Sequence, residues 1–116
     1  MYLLNWNSEL HTVEASFGGR IKYQEVRLFA AHLRDQLLRL KDSEFQVWID
    51  TTCVHKIDPV AQMLLDECRE TCLEYGASRV TYLTGDRKTA DDLTIKRMDQ
   101  VMHGKERYLA FASMVS

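Results

Sequence analysis

Proline is nearly missing from this sequence, and the single one, Pro59, stands where a helix can open rather than break. No Gly/Ser-rich linker, repeat or low-complexity run divides the chain, so residues 1–116 are expected to form one domain without room for a second core. No apolar run approaches the ~20 residues of a membrane span. The opening Met1-Tyr2-Leu3-Leu4-Asn5-Trp6-Asn7 lacks the basic and long apolar stretches of a signal peptide. Cysteine is scarce: Cys53, Cys68 and Cys72 are an odd number, which suits a reducing compartment better than a disulfide framework. A cytoplasmic protein is therefore expected. Neither charge sign dominates, with 15 Lys and Arg against 17 Asp and Glu. The two signs also interleave, as in Arg34-Asp35 and Lys41-Asp42, which argues against a nucleic-acid or membrane-surface role.

What is present is an ordinary folding pattern. Val13, Ala15 and Phe17 alternate with polar neighbours and predict a half-buried strand closed by Gly18-Gly19. The apolar Tyr2 to Trp6 is close enough to pair with it as an antiparallel hairpin. From Tyr23 to Lys41, Val26, Phe29, Ala30, Leu33, Leu37 and Leu40 recur at helical spacing, with Leu28 and Leu38 widening the stripe. Phe45 to Ile49 is a continuous apolar run expected of a central strand. After a loop, Asp58 is the expected N-cap of a helix with Pro59 first and Gly76 as its stop. Val60, Leu64, Cys68, Thr71, Cys72 and Tyr75 are its expected inward stripe. Arg79 to Thr84 predicts another strand, ended by Gly85-Asp86. A third helix is expected over Thr89 to His103, with Leu93, Val101 and one or more of Ile95, Met98 and Met102 inward, then a last strand around Tyr108 to Ala112. The order β-β-α-β-α-β-α-β predicts an α/β domain: a small mixed β-sheet, an antiparallel opening hairpin then parallel strands, with helices packed on it.

Chemistry-bearing patterns are sparse. Gly18-Gly19-Arg20 lies between strand and helix, but neither phosphate-binding glycine pattern nor a G-x-S-x-G elbow occurs. Cys53 and His55 make a C-x-H, and Cys68 and Cys72 share a helical face, yet no second close ligand pair completes a zinc spacing. No metal or cofactor is expected. Cys53 before a helix N-terminus is a minor candidate nucleophile. Asp50, at a strand end, is the best-placed acid, while Asp58 is explained by capping and Asp91-Asp92 by the helix dipole. No catalytic residue emerges.

These segments, taken in order, resemble the STAS domain family of anti-sigma-factor antagonists (SpoIIAA-like) and sulfate-transporter tails. The hairpin closing on Gly18-Gly19, the long first helix, Val47-Trp48-Ile49-Asp50, Ile57-Asp58 at a helix start and Tyr75-Gly76-Ala77 at its end carry the likeness. In antagonist members the helix start reads Asp-Ser-Ser-Gly, and the second serine is phosphorylated. Asp58 matches the Asp, but Pro59 and Val60 stand at the serines and Ala61 at the Gly. Val60 cannot carry a phosphate, so the resemblance implies an interaction domain without that switch. Thr51 and Thr52 are nearby hydroxyls, expected to satisfy loop backbone groups.

The expected function is non-enzymatic binding of another protein. Its surface would comprise Asp50, Thr51, Thr52, His55, Asp58, Pro59 and Val60, extended by Asp86, Arg87 and Lys88 at the next strand's end. The alternative is a lipid or small apolar ligand, motivated by Met98, Met102, Met114 and Phe111 and by the wide first-helix stripe. Exposed Leu28 or Leu38 would also suit a homodimer.

Overall fold

The computed structural model describes residues 1–110. Strand β1 (Tyr2–Asn7) turns into β2 (Thr12–Ile21), followed by helix α1 (Tyr23–Leu40), β3 (Gln46–Ile57), α2 (Pro59–Glu74), β4 (Val80–Thr84), α3 (Arg87–Lys96), α4 (Met98–Met102) and β5 (Glu106–Ala110). The sheet order is β1-β2-β3-β4-β5. The first pair is antiparallel and the rest are parallel, as the sequence pattern predicts.

This unreversed order has a geometric consequence. Each parallel crossover steps to the next strand in the same direction. Because such crossovers are right-handed, α1, α2 and α3 must fall on one face. One buried cluster accordingly joins Phe17, Val47, Ile49, Tyr82 and Tyr108 of the sheet to Phe29, Leu33, Leu65 and Ala90 of those helices. Phe29 meets Phe17 edge-on at 4.7 Å and Tyr2 at 5.4 Å, locking α1 over the opening hairpin. The opposite face is covered by its own side chains. Asn5, Glu14, Trp48, Thr81 and Arg107 form one row across the strands. The Arg107 guanidinium lies 5.9 Å from the Trp48 ring centre and donates to Thr81 Oγ1 at 3.3 Å, burying Thr81 without a helix.

Several expectations change. Gly18-Gly19 does not close a hairpin. The hairpin turn lies at residues 8–11, where Asn7 Oδ1 accepts the Glu9 and Leu10 N–H groups, each at 3.1 Å. Strand β2 runs through both glycines to Ile21, with register shifts on either side of Gly18-Gly19 and φ +75° at Gly19. The segment read as a loop after Ile49 is likewise strand: Cys53 to Ile57 pairs with Gly18 to Ile21. Its threonines and valine tolerate extension, and no glycine or proline interrupts it.

In α2 the buried residues are Ala61, Leu65, Cys68, Arg69 and Cys72. Val60 is 57% exposed and Leu64 only partly buried, so the inward stripe is rotated by one residue from expectation. The helix entry from Ile57 sets that phase, and Val60 and Leu64 are as apolar as the residues that won. Asp58 occupies the N-cap position, but its side chain makes no capping bond; its N–H donates to Ile21 O at 3.2 Å instead. The C-terminus behaves as expected. Gly76, at φ +100°, donates to Leu73 O at 3.1 Å and Ala77 N–H donates to Cys72 O at 3.0 Å, a paired stop that needs the glycine.

The expected third helix is two helices broken at Arg97, whose backbone leaves the helical region at φ −113°, ψ 31°. Ala90, Leu93 and Val101 face the core, whereas Ile95, Met98 and Met102 are exposed. Strand β5 starts two residues earlier than expected, and its expected end at Ala112 lies outside the described residues. Met114 and Phe111 lie outside them too.

Candidate functional site

Parallel strands β3 and β4 pair as far as Asp50 and Leu83, after which β3 runs on to Ile57 against β2, with α2 leaving β3 and α3 leaving β4. Between them opens a groove of about 510 Å³. Phe17, Ile21, Val54, Leu65 and Leu93 supply apolar lining, and the buried Tyr82 also faces it. Burial pushes the Tyr82 hydroxyl above its ordinary range, against hydrogen bonds from Gln62 and Thr51 and the nearby Arg69 charge.

Most polar groups of the groove are engaged within the protein. Thr51 donates to Leu83 O at 2.7 Å and Thr84 to Asp86 O at 2.8 Å. Gln62 Nε2 donates to Asp66 Oδ1 at 2.9 Å, and Arg69 Nη2 pairs with the same oxygen at 3.1 Å. Asp86 is the N-cap of α3, accepting the Thr89 N–H and hydroxyl at 2.8 Å each. Those Thr89 bonds hold its carboxyl below the usual range. The sequence reading placed Asp86 only on a partner surface. The cap signal, an Asp three residues before a Thr at a strand–helix junction, was there to be read.

Among the expected site residues, Thr51, His55 and Asp86 line this groove. Asp50 does not. It stands in register with Ser16 and Leu83 on the far side of the sheet, accepting the Thr52 N–H at 2.8 Å and the Thr52 hydroxyl at 2.6 Å. Val60 and Lys88 are exposed and do not line the groove, and among the described residues Arg87 makes only a long 3.9 Å pair with Asp91. Asp91-Asp92 falls beyond the first turn of α3, not in it. Lys56 of β3 and Lys96 of α3 were missed, because only the folding of α3 over the sheet brings these distant segments to one groove.

Cys53 is exposed, while Cys68 and Cys72 are buried and all three thiols are free. Burial pushes Cys68 up to about 11 and Cys72 higher still, so neither offers a thiolate near neutral pH. Among the described residues, no three His, Cys, Asp or Glu side chains are grouped to hold a metal.

Arg69 is the polar residue the sequence reading missed most completely. At 5% exposure it lies between Tyr82 and Tyr108, 5.4 and 5.6 Å from their ring centres. Its place three residues before Cys72 and four after Leu65 is a core position, but an arginine there does not announce burial. Glu106, 2% exposed, accepts from Arg97 Nε at 3.0 Å and Nη2 at 2.6 Å and from the Tyr108 hydroxyl.

The anti-sigma factor antagonist SpoIIAA, in its unphosphorylated form, superposes with a TM-score of 0.64 over 88% of this chain and 98% of that one, at 14% identity. The chain has the SpoIIAA-like fold. A protein of the DUF3478 family from Shewanella loihica, itself described as SpoIIAA-like, matches with a TM-score of 0.64 at 14% identity, covering 94% of this chain and 83% of that one. No family profile and no curated protein matches the sequence. The SpoIIAA-like fold accounts for the five-stranded mixed sheet and its helical face. No helix among the described residues is long and apolar enough to cross a membrane.

Proposed function

We propose that this SpoIIAA-like chain is a non-enzymatic, cytoplasmic protein-interaction domain of the regulatory kind. The docking surface would be the β3 end and α2 start, from Thr52 and His55 through Asp58, Pro59 and Val60, flanked by Arg87 and Lys88. One observation carries the reading: Val60 and Met63, 57% and 64% exposed, project apolar side chains into solvent on the first turns of α2. They stand three residues apart on one face of α2, so together they offer an apolar spot for a partner. The fold likeness to an anti-sigma factor antagonist supports the same class of role. Val60 has no hydroxyl, so docking here would be constitutive rather than switched by phosphate.

The test is quantitative affinity capture with wild-type, Val60→Asp and Lys88→Glu domains, read by mass spectrometry alongside thermal melts. A partner captured by the wild type should be lost from both variants while their melting temperatures stay unchanged. Equal capture by all three would refute this surface.

A further inference from the structure

Strand β1 is an edge of the sheet, with β2 as its neighbour. Its ladder fixes which way each backbone group points. Gly18 N–H donates to Met1 O at 2.8 Å and Met1 N donates to Gly18 O at 3.1 Å, so these residues form a hydrogen-bonded pair. Bonded and non-bonded pairs alternate in an antiparallel ladder, which makes Leu3–Ser16, Asn5–Glu14 and Asn7–Thr12 the next bonded pairs. The N–H and C=O groups of Tyr2, Leu4 and Trp6 therefore point away from the sheet, and none has a hydrogen-bond partner among the described residues. Edge strands are ordinarily guarded against pairing with another chain by a charge, a proline or a bulge. Tyr2-Leu3-Leu4-Asn5-Trp6-Asn7 has no charge and no proline, and its register with β2 is unbroken. The opposite edge, β5, carries Glu106 and Arg107.

The pattern of β1 is also symmetric about Leu4. When β1 of a second copy lies antiparallel with Leu4 against Leu4, a two-fold axis passes between them. Tyr2 then exchanges hydrogen bonds with the partner's Trp6, and Trp6 with the partner's Tyr2, so every outward group of Tyr2, Leu4 and Trp6 is satisfied. A register slipped in either direction leaves some of them bare. On the helical side the half-buried Tyr2 and Trp6 face each other across the seam; on the open side Leu3, 66% exposed, faces Asn5. Exposed Leu28 adds apolar surface beside this edge, one turn before His32, whose ring bonds the Tyr2 hydroxyl. We propose that a second copy of this chain docks on the β1 edge, joining two sheets into one through β1–β1 hydrogen bonds centred on Leu4.

Sedimentation velocity over a range of protein concentrations reads the association, and amide hydrogen exchange reads the strand. The wild type should form dimers and nothing larger, because the pairing closes on itself. In the dimer the Tyr2, Leu4 and Trp6 amides should exchange as slowly as those of Leu3 and Asn5. After dilution to monomer, only Leu3 and Asn5 should keep their protection. Leu3→Lys/Asn5→Lys alters side chains exposed in the monomer and sets lysine against lysine across the seam. It should raise the dimer dissociation constant by roughly tenfold or more, with the monomer's circular dichroism unchanged. A monomer at every concentration, growth beyond the dimer, a dimer whose Leu4 and Trp6 amides exchange freely, or full dimerisation of the double variant overturns the proposal. Val60→Asp should dimerise as the wild type does, which separates this interface from the α2 docking surface.

Discussion

Arg97 donates from Nε to Glu106 Oε1 at 3.0 Å, tying the break between α3 and α4 to the edge strand β5. Arg97 also reaches Glu70 of α2, so one guanidinium joins three elements. Burial alone would raise the Glu106 carboxyl, but hydrogen bonds from Arg97 and Tyr108 outweigh it and hold the group below its ordinary value of 4.5. With the folded value lowered, the stabilisation is full above the unfolded carboxyl's range and is lost as pH falls through the folded one.

Glu106→Gln should therefore cost about 3 kcal/mol near neutral pH, because it leaves Arg97 facing a buried neutral amide. The difference from wild type should shrink in acid. Urea denaturation at a series of pH values checks both parts; a gap unchanged into strong acid would contradict the assignment.

Arg69→Ala should also destabilise by about 3 kcal/mol, through a cavity between Tyr82 and Tyr108 and an unpaired Asp66. Nε and Nη1 of Arg69 are buried without hydrogen-bond partners, so its charge is incompletely compensated. Arg69→Met, which fills the space without the charge, should recover most of that loss. Parallel denaturation curves distinguish the two variants.

The rotation of α2 predicts unequal costs for two apolar truncations. Leu65→Ala should lose about 2–5 kcal/mol, since Leu65 is fully buried. Val60→Ala should change stability by less than about 0.5 kcal/mol. Equal losses in thermal unfolding would return the helix to the phase first expected from its sequence.

Thiol chemistry should divide the cysteines. In the native domain a chromogenic disulfide reagent should modify only Cys53 rapidly, with Cys68 and Cys72 reacting after unfolding. Their burial and raised thiol values both oppose attack. Rapid native modification of all three would show that α2 opens readily.

The legible parts of this fold are those set by neighbours in the chain. The bounds of α1 follow from the spacing of Val26, Phe29, Leu33, Leu37 and Leu40, all buried as read. The stop at Gly76 follows from a residue able to take φ +100°. The Gly18-Gly19 reading failed because glycine permits a turn without demanding one, and pairing with β3 used the same freedom for strand irregularity. The long β3 was cut short because Thr51 to Lys56 is not enclosed on both faces, so its apolar pattern fades while its backbone pairing continues.

The site was legible only as a neighbourhood. A strand end followed by a proline-opened helix marked Thr51, His55 and Val60, but Asp50 could not be assigned to the far face until its cross-strand partners were known. Lys56 of β3 and Lys96 of α3 came to line one groove only through the tertiary fold.

By itself the sequence determined the bounds of α1, α2 and β4 to within a residue and that the opening pair runs antiparallel, since glycines, a first-turn proline and side-chain period act over a few residues. It also excluded a hydroxyl at Val60. Tertiary structure alone decided the strand order, the phase of α2 and the groove. Those depend on contacts between distant segments: once β2 to β5 add in one direction, right-handed crossovers place every connecting helix on one face, and a groove opens where two of them diverge.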